Sequence, residues 1–156
     1  LDCKIHLPLD AILAEKLEDN PKTIVAKKDS IPSDLMILDI GPDTISSIIT
    51  LLNNSKTLLW NGPLGAFEFK PFDNATNCVA QVAANLTTKS QLTTIAGGGD
   101  TMAALKFAQQ GIDITKAALK NAQVSDSFSY ISSAGGAFLE WLEGKKLPGV
   151  VPLFNE

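Results

Sequence analysis

The sequence contains no arginine, so all 13 of its basic residues are lysines. Bidentate clamping of a carboxylate or phosphate cannot come from this chain, and neither can an arginine finger. There is one histidine, His6, on a half-apolar stretch at residues 4–10, where it reads as structural; no nucleophile–base constellation is visible. The two cysteines, Cys3 and Cys78, are far apart and match no metal or redox spacing. Cys78 falls on an apolar helical pattern and reads as a buried thiol. No apolar run approaches the ~20 residues of a membrane span. The first residues lack the basic start and apolar block of a signal peptide, which with so few cysteines suits a reducing cytoplasm. They also lack an initiating Met, so a cut or incomplete chain is expected. Net charge is −4, which speaks against a nucleic-acid surface.

What is present is a folding composition. The 156 residues suit one domain, and 45% hydrophobic against 19% charged residues argue for a packed core. Residues 4–10 alternate like a short strand, with Pro8 placing it at an edge or a terminus. Residues 11–31 are ambiguous, and Lys27-Lys28-Asp29 reads as a solvated loop. From Asp34 the pattern becomes regular. Residues 35–40 form a near-continuous apolar run, as a strand buried on both faces would. Gly41-Pro42-Asp43-Thr44 is a turn with a good cap. Ile45, Ile48, Ile49 and Leu52 then follow at amphipathic helical spacing.

The same alternation repeats. Residues 57–60 predict a strand, and Asp73-Asn74 cap a helix with Val79, Val82, Ala83 and Leu86 inward. Residues 92–96 predict another strand. A helix over 100–110 follows, with Ala104, Leu105, Phe107 and Ala108 inward and Gly111 as its stop. Residues 127–132 predict a fourth strand. The helix after Gly136 is apolar on nearly every side and should be heavily buried. Strand–helix four times over predicts an α/β fold: a parallel sheet with right-handed crossovers and helices on both faces, a Rossmann-like three-layer arrangement.

Ligands bind such sheets beyond the carboxyl ends of the strands. Three of the four predicted strands end there in unusual loops: Asn61-Gly62-Pro63, Gly97-Gly98-Gly99-Asp100-Thr101, and Ser132-Ser133-Ala134-Gly135-Gly136. Three glycines strip side chains from a strand-to-helix turn, so backbone N–H groups can touch a ligand, and the helix start adds unpaired donors. The natural guest is a phosphate. Asp100 reads as an N-cap or, if polyphosphate binds, as its contact through Mg²⁺. Thr101 can offer a hydroxyl and an N–H, or merely fill the first helical turn. Gly135 and Gly136 form a second anion-friendly helix start. Glu68 can accept from a ribose diol or stand as a solvated surface group. Neither the spacing of a P-loop nor that of a dinucleotide fingerprint is present.

Several segments in fixed order resemble the phosphoglycerate kinase family. They are residues 60–68 (Trp-Asn-Gly-Pro-Leu-Gly-Ala-Phe-Glu), 96–101 (Ala-Gly-Gly-Gly-Asp-Thr), 132–140 and 142–150, with Leu38-Asp39-Ile40-Gly41-Pro42 and, more loosely, Leu7-Pro8-Leu9-Asp10. The resemblance runs almost end to end. It implies that residues 1–156 are the later part of a C-terminal, nucleotide-binding domain. The family moves a phosphoryl group between 1,3-bisphosphoglycerate and ADP, giving 3-phosphoglycerate and ATP, with Mg²⁺, in glycolysis. By resemblance, Glu68 holds the ribose with Asn61 near the nucleotide, residues Gly97, Gly98, Gly99 and Thr101 hold its phosphates, and Asp100 holds the metal. The loop with Ser133, Gly135 and Gly136 faces the transferred phosphoryl group and the hinge. Ala134 stands where the family commonly has glycine.

The resemblance also implies a monomeric, cytoplasmic full-length enzyme binding neither nucleic acid nor membrane. The N-terminal substrate domain and the adenine-pocket segment are missing from this sequence, so these residues alone are expected to be inactive. The alternatives are a non-catalytic nucleotide- or phosphate-binding module and an interaction domain.

Overall fold

The structure is a computed structural model that describes residues 3–108, 124–132, 134–149 and 151. Two three-stranded sheets organise them. The first comprises β1 (Asp10–Ala14), β2 (Ile24–Lys27) and β3 (Met36–Ile40), antiparallel in the order β2-β1-β3. The second comprises β4 (Thr57–Asn61), β5 (Thr93–Gly97) and β6 (Tyr130–Ser132), parallel in the order β4-β5-β6. The helices are α1 (Pro42–Asn53), α2 (Asn74–Thr88), α3 (Gly99–Phe107) and α4 (Gly136–Leu142).

The parallel α/β sheet is present, but its expected first strand is not part of it. Residues 36–40 pair antiparallel with β1, with an irregularity in register between Ile12 and Leu13. The strand expected at 4–10 instead begins at Asp10 and runs through Ala14. Pro8 has no N–H for a ladder, whereas Ala11, Leu13 and Ala14 are buried on both faces and so lack an alternating signature. Part of the ambiguous stretch is β2, an edge strand of mostly exposed residues that includes Lys27. The run at 35–40, expected to be buried on both faces, is not: Met36 and Ile37 are exposed, and only Leu38 and Asp39 are buried.

The main core lies between β4-β5 and the helices. Trp60, Val79, Ala83, Leu92, Ala96 and Leu105 belong to it, with the Trp60 and Phe128 rings 6.3 Å apart. The inward face expected for α2 is largely present: Val79, Ala83 and Leu86 are buried and Val82 is half-buried. Cys78, expected to be buried, is half-buried and donates its thiol toward Asn74 Oδ1. Burial, then Asp39 and Asp73, pushes its pKa up.

Two further elements differ from expectation. The strand expected from Ser127 is confined to Tyr130–Ser132, after a 3₁₀ turn at Val124–Ser127. Ahead of it, Thr94 and Ser129 exchange amide-to-hydroxyl bonds of 3.1 and 3.0 Å, so side chains replace the ladder at that point. In α4 no residue is buried, and Trp141 and Leu142 are about half exposed. Its apolar circumference meets the rest of the described structure chiefly through Phe138, beside Tyr130 at 5.7 Å. The expected C-terminal end of α3 at Gln110 and its stop at Gly111 lie outside the described residues, as does the Phe107 side chain.

Helices α1 and α2 are capped from a distance. The Asp10 carboxylate on β1 accepts the Asp43 amide (3.0 Å) and the Thr44 amide (2.9 Å) in the first turn of α1. The good cap expected in the turn itself is therefore not local. Gly41 makes room: a Cβ there would lie 2.3 Å from Asp10 Cγ. Likewise Asp39 Oδ2 on β3 accepts the Ala75 amide of α2 at 3.0 Å. Asp73, the residue expected to cap α2, precedes the helix but makes no side-chain cap bond; it binds Lys70 Nζ and Asn77 Nδ2 instead. Each cap satisfies donors a helix start leaves unpaired and ties the antiparallel sheet to the helices.

Candidate functional site at the parallel strand ends

Parallel pairing aligns the last residues of three strands: Asn61 faces Gly97, and Gly97 faces Ser132. The three loops singled out in the sequence therefore leave the sheet side by side, on its carboxyl edge. Ser133 lies outside the described residues, whereas Asn61, Gly97–Thr101, Gly135 and Gly136 are all in place.

The three glycines have three different reasons. Gly97 ends β5, is buried, and carries the Phe138 ring: a Cβ there would sit 2.9 Å from Phe138 Cδ1. Gly98 has φ +100°, a conformation open to glycine and strained for other residues. Gly99 opens α3 with nothing within 4 Å of where its Cβ would be, so its backbone faces free space. The nine-residue α3 begins there, with Asp100 exposed in its first turn. Among the described residues Asp100 makes no ion pair.

Thr101 is 1% exposed, and its Oγ1 accepts the Gly62 amide at 2.7 Å. That bond stitches the Asn-Gly-Pro loop to the glycine loop through a lone pair of the hydroxyl oxygen, whose O–H remains a donor. Gly62 has φ +88°, and its carbonyl accepts the Trp60 indole N–H, which fixes the loop from below. On the third loop, Ser132 Oγ accepts the Ala134 amide at 3.2 Å and Gly135 has φ +58°. The helix it opens, α4, has seven residues and starts at Gly136.

Beyond Gly62 the chain forms one wall of an open hollow of about 270 Å³. The opposite wall is β3 at residues 37–40, and the near wall is 63–66. The Ala66 amide bonds the Leu38 carbonyl (2.9 Å), and the Leu64 amide bonds Thr76 Oγ1 (3.0 Å). Asp39, 2% exposed, belongs to this wall. Burial, opposed by the Ala75 and Ile40 amides and aided by Asp73, raises its pKa to about 6. Sequence reasoning noted Leu38-Asp39-Ile40 as a motif but missed this hollow. The signal available was the apolar run before Gly41; its juxtaposition with 63–66 was not. Glu68 is exposed on the turn after the wall and bonds to none of the described loop residues.

The described residues contain no group of three or more His, Cys, Asp or Glu able to hold a metal alone. None of their helices is long and apolar enough to cross a membrane.

An α/β domain with glycine-rich loops gathered on the carboxyl edge of a parallel sheet has those loops where open α/β sheets bind their ligands. The comparisons narrow this. The family model for phosphoglycerate kinase matches residues 1–145. A phosphoglycerate kinase of Chelativorans sp. (strain BNC1) is 50% identical over 97% of this chain, and that of Zymomonas mobilis is 48% identical over 97%. The solved structure of phosphoglycerate kinase from Coxiella burnetii has a TM-score of 0.76 at 40% identity, covering 94% of this chain and 33% of that one. The chain belongs to the phosphoglycerate kinase family, and it spans about a third of the length of the curated relatives it matches.

Proposed function

We propose that this chain supplies the nucleotide side of a phosphoglycerate kinase, a kinase that transfers a phosphoryl group between 1,3-bisphosphoglycerate and ADP, giving 3-phosphoglycerate and ATP in glycolysis. The observation that carries the reading is the register Asn61–Gly97–Ser132, which brings three loops to one edge beside an apolar hollow.

The parts divide as follows. The hollow between 37–40 and 63–66 would receive one side of the base, the rest of its pocket falling to the adenine-pocket segment that this sequence lacks, and Glu68 and Asn61 flank residues 63–66 in sequence for a ribose and its neighbours. The free backbone N–H groups of Gly98 and Gly99 at the start of α3 attract phosphate oxygens. Thr101 adds its own N–H, while its hydroxyl holds Gly62 in place. Gly97 lets α4 approach, and the loop with Ser133, Gly135 and Gly136 completes the edge toward the transferred group. Asp100 fits Mg²⁺ in the way that ion prefers, one carboxylate combined with substrate phosphates and water, and bound there Mg²⁺ would neutralise phosphate charge.

The second substrate is proposed to need the bidentate arginine contacts that this arginine-free chain does not bring. Its site is proposed to lie in an N-terminal domain that closes on this one in a monomeric, cytoplasmic enzyme, and residues 1–156 alone are proposed to be inactive. Calorimetric titration with MgADP tests the nucleotide reading. Binding that loses its Mg²⁺ dependence in Asp100→Ala supports the metal role. Turnover of 3-phosphoglycerate by the isolated 156 residues would remove the claim of inactivity.

A further inference from the structure

Gly97 is kept a glycine by a single side chain. It ends β5 as an ordinary strand residue, paired with Asn61 on one side and with Ser132 on the other. Its φ is not among the positive ones, so no backbone conformation asks for glycine there. The three atoms nearest to where its Cβ would lie all belong to Phe138: Cδ1 at 2.9 Å, Cε1 at 3.5 Å and Cγ at 4.0 Å. Gly41 and Gly65 differ, since a Cβ at either would meet the carboxylate of Asp10 or Asp39. At Gly97 the missing side chain and the Phe138 ring form a matched pair.

The ring joins two loops. Phe138 is the third residue of α4, a helix with no buried residue, and its amide bonds the Gly135 carbonyl at 3.2 Å. The half-buried ring lies on Gly97 and against Tyr130, its centroid 5.7 Å from the tyrosine's and the planes tilted by 48°. The start of α4 is thereby tied to the end of β5. Directly after Gly97 the chain turns at Gly98, whose carbonyl accepts the Met102 amide at 3.0 Å as α3 begins. The Gly98 and Gly99 amides are therefore placed from two directions. The bond from the Gly62 amide to Thr101 Oγ1 holds them on the β4 side, and the Phe138 ring holds them on the β6 side.

We propose that Phe138 is a positioning residue for the glycine loop: seated on Gly97, its ring fixes where the Gly98 and Gly99 amides stand relative to the β6–α4 loop. This deepens the reading of residues 97–101 as a phosphate site and rests on it. Phe138 acts through Gly97 and not on a substrate. Small displacements of positioning groups cost the chemical step more than they cost binding, so the effect belongs in kcat.

The test uses the full-length enzyme, with its glycine amides isotopically labelled for NMR. Without ligand, the Gly98 and Gly99 amide signals move in Phe138→Ala and move less in Phe138→Leu, which keeps a narrower apolar cover. The Gly41 signal, beside the other sheet, stays in place. In steady-state turnover Phe138→Ala lowers kcat about 10-fold or more with KM for MgADP little changed, and Phe138→Leu recovers part of that loss. Gly97→Ala drives the ring from its seat and also lowers kcat. Combined with Phe138→Ala it adds little further loss, because the ring it displaces is already gone. Unmoved Gly98 and Gly99 signals or wild-type kcat in both Phe138 variants would overturn the positioning role, even if melting temperatures fall. Strictly additive losses in the double variant would overturn the pairing with Gly97. In each of those cases wild-type Gly98 and Gly99 signals that respond to MgADP leave the phosphate reading intact. Wild-type signals that ignore saturating MgADP would remove the phosphate reading and this proposal with it.

Discussion

Asp10 and Thr44 bind each other in both directions across 34 residues: the Thr44 amide and hydroxyl donate to Asp10 Oδ1 at 2.9 and 2.7 Å, and the Asp10 amide donates back to Thr44 Oγ1 at 3.1 Å. A strand and a helix start are locked together by one buried acid. Burial, the largest single influence, pushes the Asp10 pKa up. The Thr44 hydroxyl, the Asp43 and Thr44 amides and Lys27 together outweigh it and hold the carboxyl below its ordinary 3.8.

Asp10→Ala is therefore expected to destabilise the protein by about 3 kcal/mol, since it leaves buried donors unsatisfied. Because the folded value is lowered, the charge contributes fully above 3.8 and its contribution fades as pH falls through the lowered value. Urea unfolding of wild type and Asp10→Asn across pH should show a gap that narrows only in strong acid.

Asp39 should behave in the opposite sense. Its folded pKa of about 6 lies above the ordinary 3.8, so its stabilising contribution is complete below 3.8 and is lost as pH rises toward 6. The loss is at most about 3 kcal/mol. Thermal unfolding of Asp39→Asn should lack this slope between the two values.

Thr101→Val removes the acceptor of the Gly62 amide while keeping the shape. It should cost about 1–2 kcal/mol, whereas Thr101→Ser retains the bond and most of the stability. Melting temperatures of the two variants separate the hydroxyl from the methyl group.

Gly98→Ala places a side chain at φ +100°, with Thr101 Oγ1 3.4 Å from the new Cβ. About 1–2 kcal/mol of stability should be lost. Gly99→Ala, where the space is open and the backbone helical, should be close to neutral for stability. Denaturant midpoints of the pair test whether the two glycines differ as their geometry does.

The parallel half of the fold was legible because its signals are local. The runs at 57–60 and 92–96 are short and apolar, the helices between them carry apolar faces at regular spacing, and glycines mark the strand ends. The antiparallel half was not legible, for physical reasons that can be named. Residues 11–14 are covered on both sides and have no period, and β2 is an exposed edge whose residues could equally form a loop. The caps of α1 and α2 come from Asp10 and Asp39, more than 30 residues upstream, and local motif reading sees only the residues next to a helix. At the candidate site, the residue types pointed to a phosphate ligand, but the engagement of the Thr101 hydroxyl and the hollow against β3 depend on packing between distant segments.

The contact between Gly97 and Phe138 has a mechanical meaning. A ring resting on bare backbone leaves no slack, so α4 cannot tilt toward the sheet without displacing the last residue of β5. The two residues that follow, Gly98 and Gly99, would feel that displacement at once. A movement of the chain's last described helix is thereby registered at the start of α3, with the aromatic ring as the lever and the glycine as its fulcrum.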